Sequence, residues 1–326
     1  MLDAVGGDDA PASAVAGGLL AARELDVDLT LVGPTATIEQ ELERQRASAQ
    51  PRIVEAPEVI GMGDSPVHAA RGKKRSSMVV GLGLVARGEA DAFVTAGNTG
   101  AAMAAAVFEL KRIEGIDRPA MAIPFPTRAG ACLLLDVGAN ADARAQDLVQ
   151  FGLMGAVYAE QVLGLSNPSV GLLNIGEEES KGSLVVQEAH QRMRGAPIRF
   201  IGNVEGKDVP AGAADVVVTD GFVGNVLIKF AEGVTGAFVD VIRSELRANV
   251  FSSILALGLR PAFARVRRRT DYAEWGGAPL LGVNGVVIIG HGRSNPRAIR
   301  NAVRVASDAV RQDVVARIRA GVAGSL

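Results

Sequence analysis

The sequence predicts an α/β fold, a three-layer α/β/α sandwich around a mainly parallel sheet. Three observations carry this. Short aliphatic and β-branched runs recur along the 326 residues, helix-length stretches with apolar residues three and four apart separate many of them, and Asn/Gly-rich loops directly follow five. In order, the runs are Asp28–Val32, Arg52–Glu55, Ala92–Thr95, Ala120–Pro124, Ala131–Val137, Val170–Ile175, Ile198–Gly202, Asp215–Thr219 and Gly285–Ile289. Such an alternation suits strands covered on both faces by crossover helices. With 48% hydrophobic residues the chain can bury a large core, and its length fits one domain or two. No Pro/Ser linker, low-complexity tract or fixed-period repeat divides it, so a single domain over residues 1–326 is expected.

Composition removes several function classes. A net charge of −2, a pI near 6.0 and 4% aromatics offer neither a global pull toward nucleic acid nor a base-stacking platform. The single cysteine, Cys132, sits inside an apolar run and reads as packing. His68, His190 and His291 are far apart without ligand-spaced partners, so no metal is expected. Neither a P-loop nor a GxGxxG pattern is met, and no cofactor is expected. Without a GxSxG elbow or a Cys–His pair, a covalent acyl-enzyme is disfavoured. The chain shows no signal peptide and no apolar stretch of membrane-spanning length, which implies a cytoplasmic protein, soluble or peripheral.

The five loops are TAGNTG at Thr95–Gly100, DVGAN at Asp136–Asn140, NIGEEESKG at Asn174–Gly182, GNVEG at Gly202–Gly206 and DGFVGN at Asp220–Asn225. Any one alone reads more simply as a plain turn, but five after strands suggest a site that holds an oxyanion by backbone and amide donors. After TAGNTG the Ala-rich run Ala101–Phe108 predicts a helix whose first N–H groups point at the loop. Lys181 is the only cation of its glycine-bounded loop and the strongest catalytic candidate there. The cluster Arg71, Lys73, Lys74, Arg75, Ser76, Ser77 has two readings, a solvated basic turn or a phosphate-binding helix start.

One segment departs from the alternation. From Val223 an apolar stripe through Leu227, Phe230, Val234, Phe238, Val241, Ile242 and Leu246 leads to Phe251, Ile254, Leu255, Leu257 and Leu259, then to Arg265, Arg267, Arg268 and Arg269. A helical hairpin over about 223–270 is expected. Its stripe suits core or dimer packing, and its apolar tip with a basic flank suits an anionic bilayer surface.

Taken in order, AVGGDDAP, RGKKRSS, TAGNTGA, LLLDVGAN, VGLLNIGEEESKG, FIGNVEGKD, DGFVGNVLIK and GGAPLLGVNG resemble the bacterial phosphate acyltransferase family, from Leu2 to about Ala309. The resemblance implies a fold like that of phosphate acetyltransferases. It also implies transfer of a fatty acyl group from acyl-carrier-protein thioester to inorganic phosphate, giving acyl phosphate for glycerol-3-phosphate acylation by a downstream membrane acyltransferase. Implied too are a homodimer and peripheral association with the inner face of the cell membrane. On this reading Lys181 and Asn225 lie near the reacting groups, and Gly97, Asn98, Thr99 and Gly100 cradle phosphate. Lys73 and Lys74 bind phosphate or the pantetheine phosphate, while Asp220, Asn140, Asn174 and Glu205 order the donors. His291 reads as structural, at the rim. Three positions depart from the family pattern: Asp9 stands where His is common, Arg75 where Asp is common and Ser180 where Gly is common. The residues that usually open the first strand are missing before MLDAVGGDD, which leaves strand one open. Rival readings are a phosphate acetyltransferase acting on acetyl-CoA, a decarboxylating dehydrogenase, and a non-catalytic membrane scaffold that recruits acyl-carrier protein.

Overall fold

A computed structural model describes residues 1–47, 50–128, 130–248, 258, 261–263 and 272–323. Each predicted run carries a strand. The strands are β1 (Leu2–Asp3), β2 (Thr30–Gly33), β3 (Arg52–Glu55), β4 (Ala92–Thr95), β5 (Ala120–Thr127), β6 (Gly130–Leu135), β7 (Ser169–Asn174), β8 (Arg199–Glu205), β9 (Val216–Val218), β10 (Ala278–Leu281) and β11 (Val286–Ile289). The helices are α1 (Ala12–Glu24), α2 (Thr35–Arg44), α3 (Pro66–Gly72), α4 (Ser77–Ala86), α5 (Thr99–Leu110), α6 (Ala145–Gln161), α7 (Leu184–Met193), α8 (Gly221–Arg247), α9 (Tyr272–Trp275), α10 (Pro296–Arg311) and α11 (Val314–Ala323).

The strands form one sheet in the order β3-β2-β1-β4-β11-β10-β5-β6-β9-β7-β8. Strand one forms after all, and although short it pairs with both neighbours, Leu2 with Leu31 and Leu2 with Val94. Two parallel blocks, β3-β2-β1-β4-β11 and β6-β9-β7-β8, flank the antiparallel pairings β11/β10, β10/β5 and β5/β6. Three reversals lie between the blocks. Their carboxyl ends therefore point in opposite directions along the sheet.

Alternation along the strands sorts side chains onto two faces. In the first block Phe93, Val287 and Ile289 pack with α3, α4 and α5, while Leu2, Leu31, Val94 and Ile288 pack with α1, α2 and α10. The second block repeats the scheme: Leu133, Leu135, Leu172 and Val218 meet α6, α7 and α11, whereas Leu134, Val204 and Val217 face Leu227 and Ile228 of α8. Cys132 is 1% exposed on that second face, and burial pushes its thiol up to about 12, in keeping with a packing role.

Beyond its first turns α8 leaves the body of the protein. Phe222, Val226, Phe230, Phe238, Val241 and Ile242 are exposed along it. The sequence reading finds no stretch of membrane-spanning length, yet this 27-residue helix reaches a mean hydropathy of 1.4 over 18 residues. Length and composition alone would let it cross a bilayer. The expected tip at Phe251, Ile254, Leu255, Leu257 and Leu259, and the arginines from Arg265 to Arg269, lie outside the described residues.

Candidate active site

The two blocks divide the five loops. TAGNTG follows β4 on the first block's carboxyl edge, whereas DVGAN, NIGEEESKG, GNVEG and DGFVGN follow or close β6, β7, β8 and β9 of the second. Lys181, Asn225, Asp220, Asn140, Asn174 and Glu205 thus share one edge, and Gly97, Asn98, Thr99, Gly100, Lys73 and Lys74 belong to the other half. Val137 and Ala139 pack against the cluster that holds α4 and α5, so the loop after β6 reaches from one half to the other.

That loop is built around a buried carboxylate. Asp136 Oδ1 accepts the N–H groups of Met121 (3.0 Å), Gly138 (3.3 Å) and Ala139 (3.0 Å), and Oδ2 accepts the backbone N–H (2.7 Å) and side-chain Nδ2 (3.0 Å) of Asn140. Burial pushes the Asp136 pKa up, and these donors pull against it. Each of these neighbours donates, so the geometry accommodates the ionised form. The N–H groups that this loop's sequence offers to phosphate are taken by the chain's own Asp136 carboxyl group. Asn140 also donates to Pro119 O at 2.7 Å and through its own carbonyl accepts the Gly221 N–H at 2.7 Å, which joins this loop to the start of α8. There Asp220 is the helix N-cap, its Oδ1 accepting the Val223 N–H at 2.8 Å. Gly224 lets the helix lie against the sheet, because a Cβ there would collide with the Asp136 carbonyl. The next residue, the half-buried Asn225, stands beside Gly138.

The loop after β7 is organised in the opposite sense, by donors acting on its carbonyls. Asn174 Nδ2 donates to Lys181 O (3.0 Å), Gln187 Nε2 to Ser180 O (2.8 Å) and Gly182 O (3.1 Å), and Asn203 Nδ2 to Glu178 O (2.9 Å). The Lys181 stem crosses Gly176 so closely that a Cβ there would lie 2.9 Å from its Cγ. Lys181 itself is exposed. The neighbouring loop after β8 adds a cation that the sequence reading passes over. Lys207 pairs with Glu205 at 2.9 Å, which holds the ammonium pKa above its usual value, and it also feels Glu177. Glu205 therefore orders Lys207.

On the first block's edge, Asp3 is fully buried under the loop after β4. Thr95 Oγ1 donates to Asp3 Oδ2 at 2.7 Å and accepts the Gly97 N–H at 3.0 Å. Burial raises the Asp3 pKa, against hydrogen bonds from Thr95, Ser77, Val5 and Gly6. Asn98 caps α5 by accepting the Ala101 N–H (3.0 Å), and its Nδ2 lies 3.1–3.3 Å from the carbonyls of Gly61, Met62 and Asp64. Gly97 and the Asn98 side chain are thus engaged internally, and Thr99 and Gly100 form the first turn of α5, whose N–H groups have no acceptor within the helix. Lys73 is held by Asp64 (2.6 Å) and Val59 O (2.8 Å), and its ammonium holds the Asp64 carboxyl below the usual range. Lys74 is exposed. Ser76 caps α4, accepting the Val79 N–H at 3.4 Å, as one reading of the basic cluster expects. Asp136, Asp3, Thr95, Asp64, Gln187, Asn203 and Lys207 are the participants that sequence reasoning missed. The sequence does carry a signal for four of them, since Thr95, Asp136 and Asn203 lie in the loops TAGNTG, DVGAN and GNVEG and Lys207 directly follows GNVEG.

Comparison with known proteins agrees with this architecture. The family described as "Fatty acid synthesis protein" matches residues 1–317. A phosphate acyltransferase of Heliobacterium modesticaldum is 51% identical over all of this chain and 98% of its own length, and one of Geobacter sulfurreducens is 46% identical over 97% and 92%. Among solved structures, the EutD phosphotransacetylase of Staphylococcus aureus superposes with a TM-score of 0.61 at 15% identity, covering 91% of each chain. A branched-chain phosphotransacylase of Enterococcus faecalis gives 0.59 at 15% identity, covering 95% of this chain and 99% of its own. At such identities the structural likeness speaks for the fold alone, whereas the sequence identity over the full length goes further: the chain belongs to the phosphate acyltransferase family of fatty acid synthesis proteins.

Proposed function

We propose that this chain transfers a long-chain acyl group from acyl-carrier-protein thioester to inorganic phosphate, reversibly and without an acyl-enzyme. Phosphate has a second pKa of about 6 to 7, so its dianion is already a nucleophile. A thiolate, with a pKa of about 8.5 for a free thiol, leaves with little help from an acid. A phosphate oxygen attacks the thioester carbonyl, the tetrahedral oxyanion collapses, the C–S bond breaks, and acyl phosphate and thiolate separate. The protein's tasks are to align the reactants and to stabilise the oxyanion. The observation that carries this reading is Lys181, exposed on a loop whose carbonyls at Glu178, Ser180, Lys181 and Gly182 are all tied down by side-chain amides. Such a loop fixes the backbone from which the cation projects. Asn225, on the same edge, supplies an amide beside the loop after β6, and Thr99 and Gly100 offer N–H groups for the phosphate. Asp220 and Asn140 hold the start of α8 that carries Asn225, Asn174 holds the Lys181 loop, and Glu205 holds Lys207.

The exposed apolar side chains of α8 support burial of this helix against a second copy, and the apolar then basic sequence that follows it suits an anionic membrane surface on the cytoplasmic side. Incubation with labelled phosphate and either long-chain acyl-carrier protein or acetyl-CoA tests the reading. Phosphate-dependent loss of the carrier-protein thioester is expected, and an equal or better rate with acetyl-CoA would overturn the donor assignment. Lys181→Ala should lower turnover by roughly 10²-fold with the fold intact. Near-normal turnover would remove Lys181 from the mechanism.

A further inference from the structure

Behind the Lys181 loop lies a buried polar pair that the transfer chemistry does not touch. Asn203 on β8 is 8% exposed and His190 on α7 is 4% exposed. Asn203 Nδ2 donates to Glu178 O at 2.9 Å, and the same carbonyl accepts the Lys181 N–H at 3.1 Å, closing the four-residue turn that carries the lysine. With its nitrogen committed to that carbonyl, Asn203 turns its Oδ1 toward His190 Nδ1, 3.0 Å away. That contact is a hydrogen bond only when Nδ1 carries the proton, so the loop's own geometry selects the His190 tautomer. The imidazole is further held edge-on against Phe200 at 5.1 Å, and its Nε2 faces Glu179 at 3.7 Å, a carboxylate that Arg194 also holds at 2.7 Å.

We infer that Asn203, oriented by His190, is a positioning residue for Lys181. The inference rests on the reading of Lys181 as the cation that stabilises the transfer. Two side chains on neighbouring strands pin the turn to the sheet: Asn174 at the end of β7 holds Lys181 O, and Asn203 on β8 holds Glu178 O. The three glutamates between Gly176 and Ser180 are exposed and give the turn no core of its own. Without Asn203 the turn is left to pivot about its remaining clamps at Asn174 and Gln187. A displacement of about 1 Å at a charged group can cost up to about 10²-fold in rate.

The test is a double-substitution cycle on the full-length protein, measuring turnover with labelled phosphate and saturating acyl-carrier-protein thioester, with thermal unfolding as the control for folding. Asn203→Asp keeps the size and the acceptor for His190 but sets an oxygen against the Glu178 carbonyl. It should lower kcat by about 10-fold while both KM values stay within about 2-fold, since the interaction lost serves the transition state. In the Lys181→Ala background the same change should have almost no further effect. His190→Asn, whose amide can replace the Nδ1 donor, should keep most of the turnover, and His190→Leu should not. A loss of the same factor with and without Lys181, or unchanged kcat for Asn203→Asp, overturns the positioning role. Near-normal kcat for Lys181→Ala instead overturns the reading on which it rests. Should Asn203→Asp fail to unfold cooperatively, the two His190 variants decide, and equal turnover in both counts against the inference.

Discussion

The loops after β6 and β7 are both short, rich in Asn and Gly, and set on the same edge of the same parallel block, yet they are held in opposite ways. In the first, the N–H groups of Gly138, Ala139 and Asn140 turn inward onto the Asp136 carboxylate. In the second, side-chain amides from Asn174, Gln187 and Asn203 take the carbonyls and leave Lys181 facing out. A loop with a central acceptor spends its donors on itself, and a loop held by its acceptors keeps its positive end free. The lesson is that a glycine-rich loop after a strand can offer an anion only the groups it has not bound itself, and after β7 that group is the Lys181 side chain, because the Lys181 N–H already closes the turn on Glu178 O.

The hardest way to break this comparison is to remove the internal anion. Asp136→Asn replaces one carboxylate oxygen by a donor that must face N–H groups, within a fully buried environment. Hydrogen bonds to charged groups are worth about 1.5–3 kcal/mol each, so a loss of about 3 kcal/mol in denaturant unfolding is expected. Because the Asn140 carbonyl holds Gly221, the start of α8 and Asn225 should move with the loop. Wild-type stability in this variant would mean that the carboxylate is not what organises the loop.

A smaller effect is expected on the other side of the comparison. Gln187→Ala removes the donor to Ser180 O and Gly182 O but leaves the clamps at Lys181 O and Glu178 O. Stability should fall by about 1 kcal/mol, because the contacts are partly solvated. Turnover should fall by roughly 3- to 10-fold as the lysine loosens. Unchanged turnover would show that the clamps on either side suffice.

The contrast explains what could be read from the sequence and what could not. Local alternation located the strands from β2 to β9 and β11, because each is an aliphatic run bounded by turn residues. It overlooked β10, whose four residues include Pro279 and lie between glycines. Strand one pairs through only Leu2 and Asp3, too short a piece for any periodicity to reveal. Pairing partners are non-local, so the three reversals that divide the five loops between two edges left no mark on any single segment. Site residues followed the same division. Lys181 stands out in the sequence as a lone cation between glycines and lies exposed in the structure, whereas the Asn98 side chain, expected to cradle phosphate, is a helix cap tied to Gly61, Met62 and Asp64. For Asp136 and Asn203, both inside the five loops, what the sequence does not show is which groups each holds from behind.

A third loop, on the opposite edge, sharpens the comparison through its charge. The turn at Gly61–Asp64 is also gathered around a carboxylate, Asp64 accepting the Gly61 N–H at 2.9 Å and Lys73 Nζ at 2.6 Å, but here the anion is part-exposed. The Lys73 hydrogen bond holds the Asp64 pKa below the ordinary carboxylate value of about 3.9. A depressed acid stabilises the fold above its unfolded pKa and loses that contribution as pH falls through the folded one. The window therefore lies below about pH 4, and near neutrality the contact is fully formed. In an acid titration followed by NMR, the Gly61 amide proton should shift together with the Asp64 carboxyl carbon, with a midpoint under the ordinary value. Added salt should move that midpoint upward by screening Lys73, whereas the Asp136 environment, sealed from solvent, should not respond to salt. A salt-independent Asp64 midpoint would assign its depression to the Gly61 N–H, and the turn would then be held by its own backbone as the loop after β6 is.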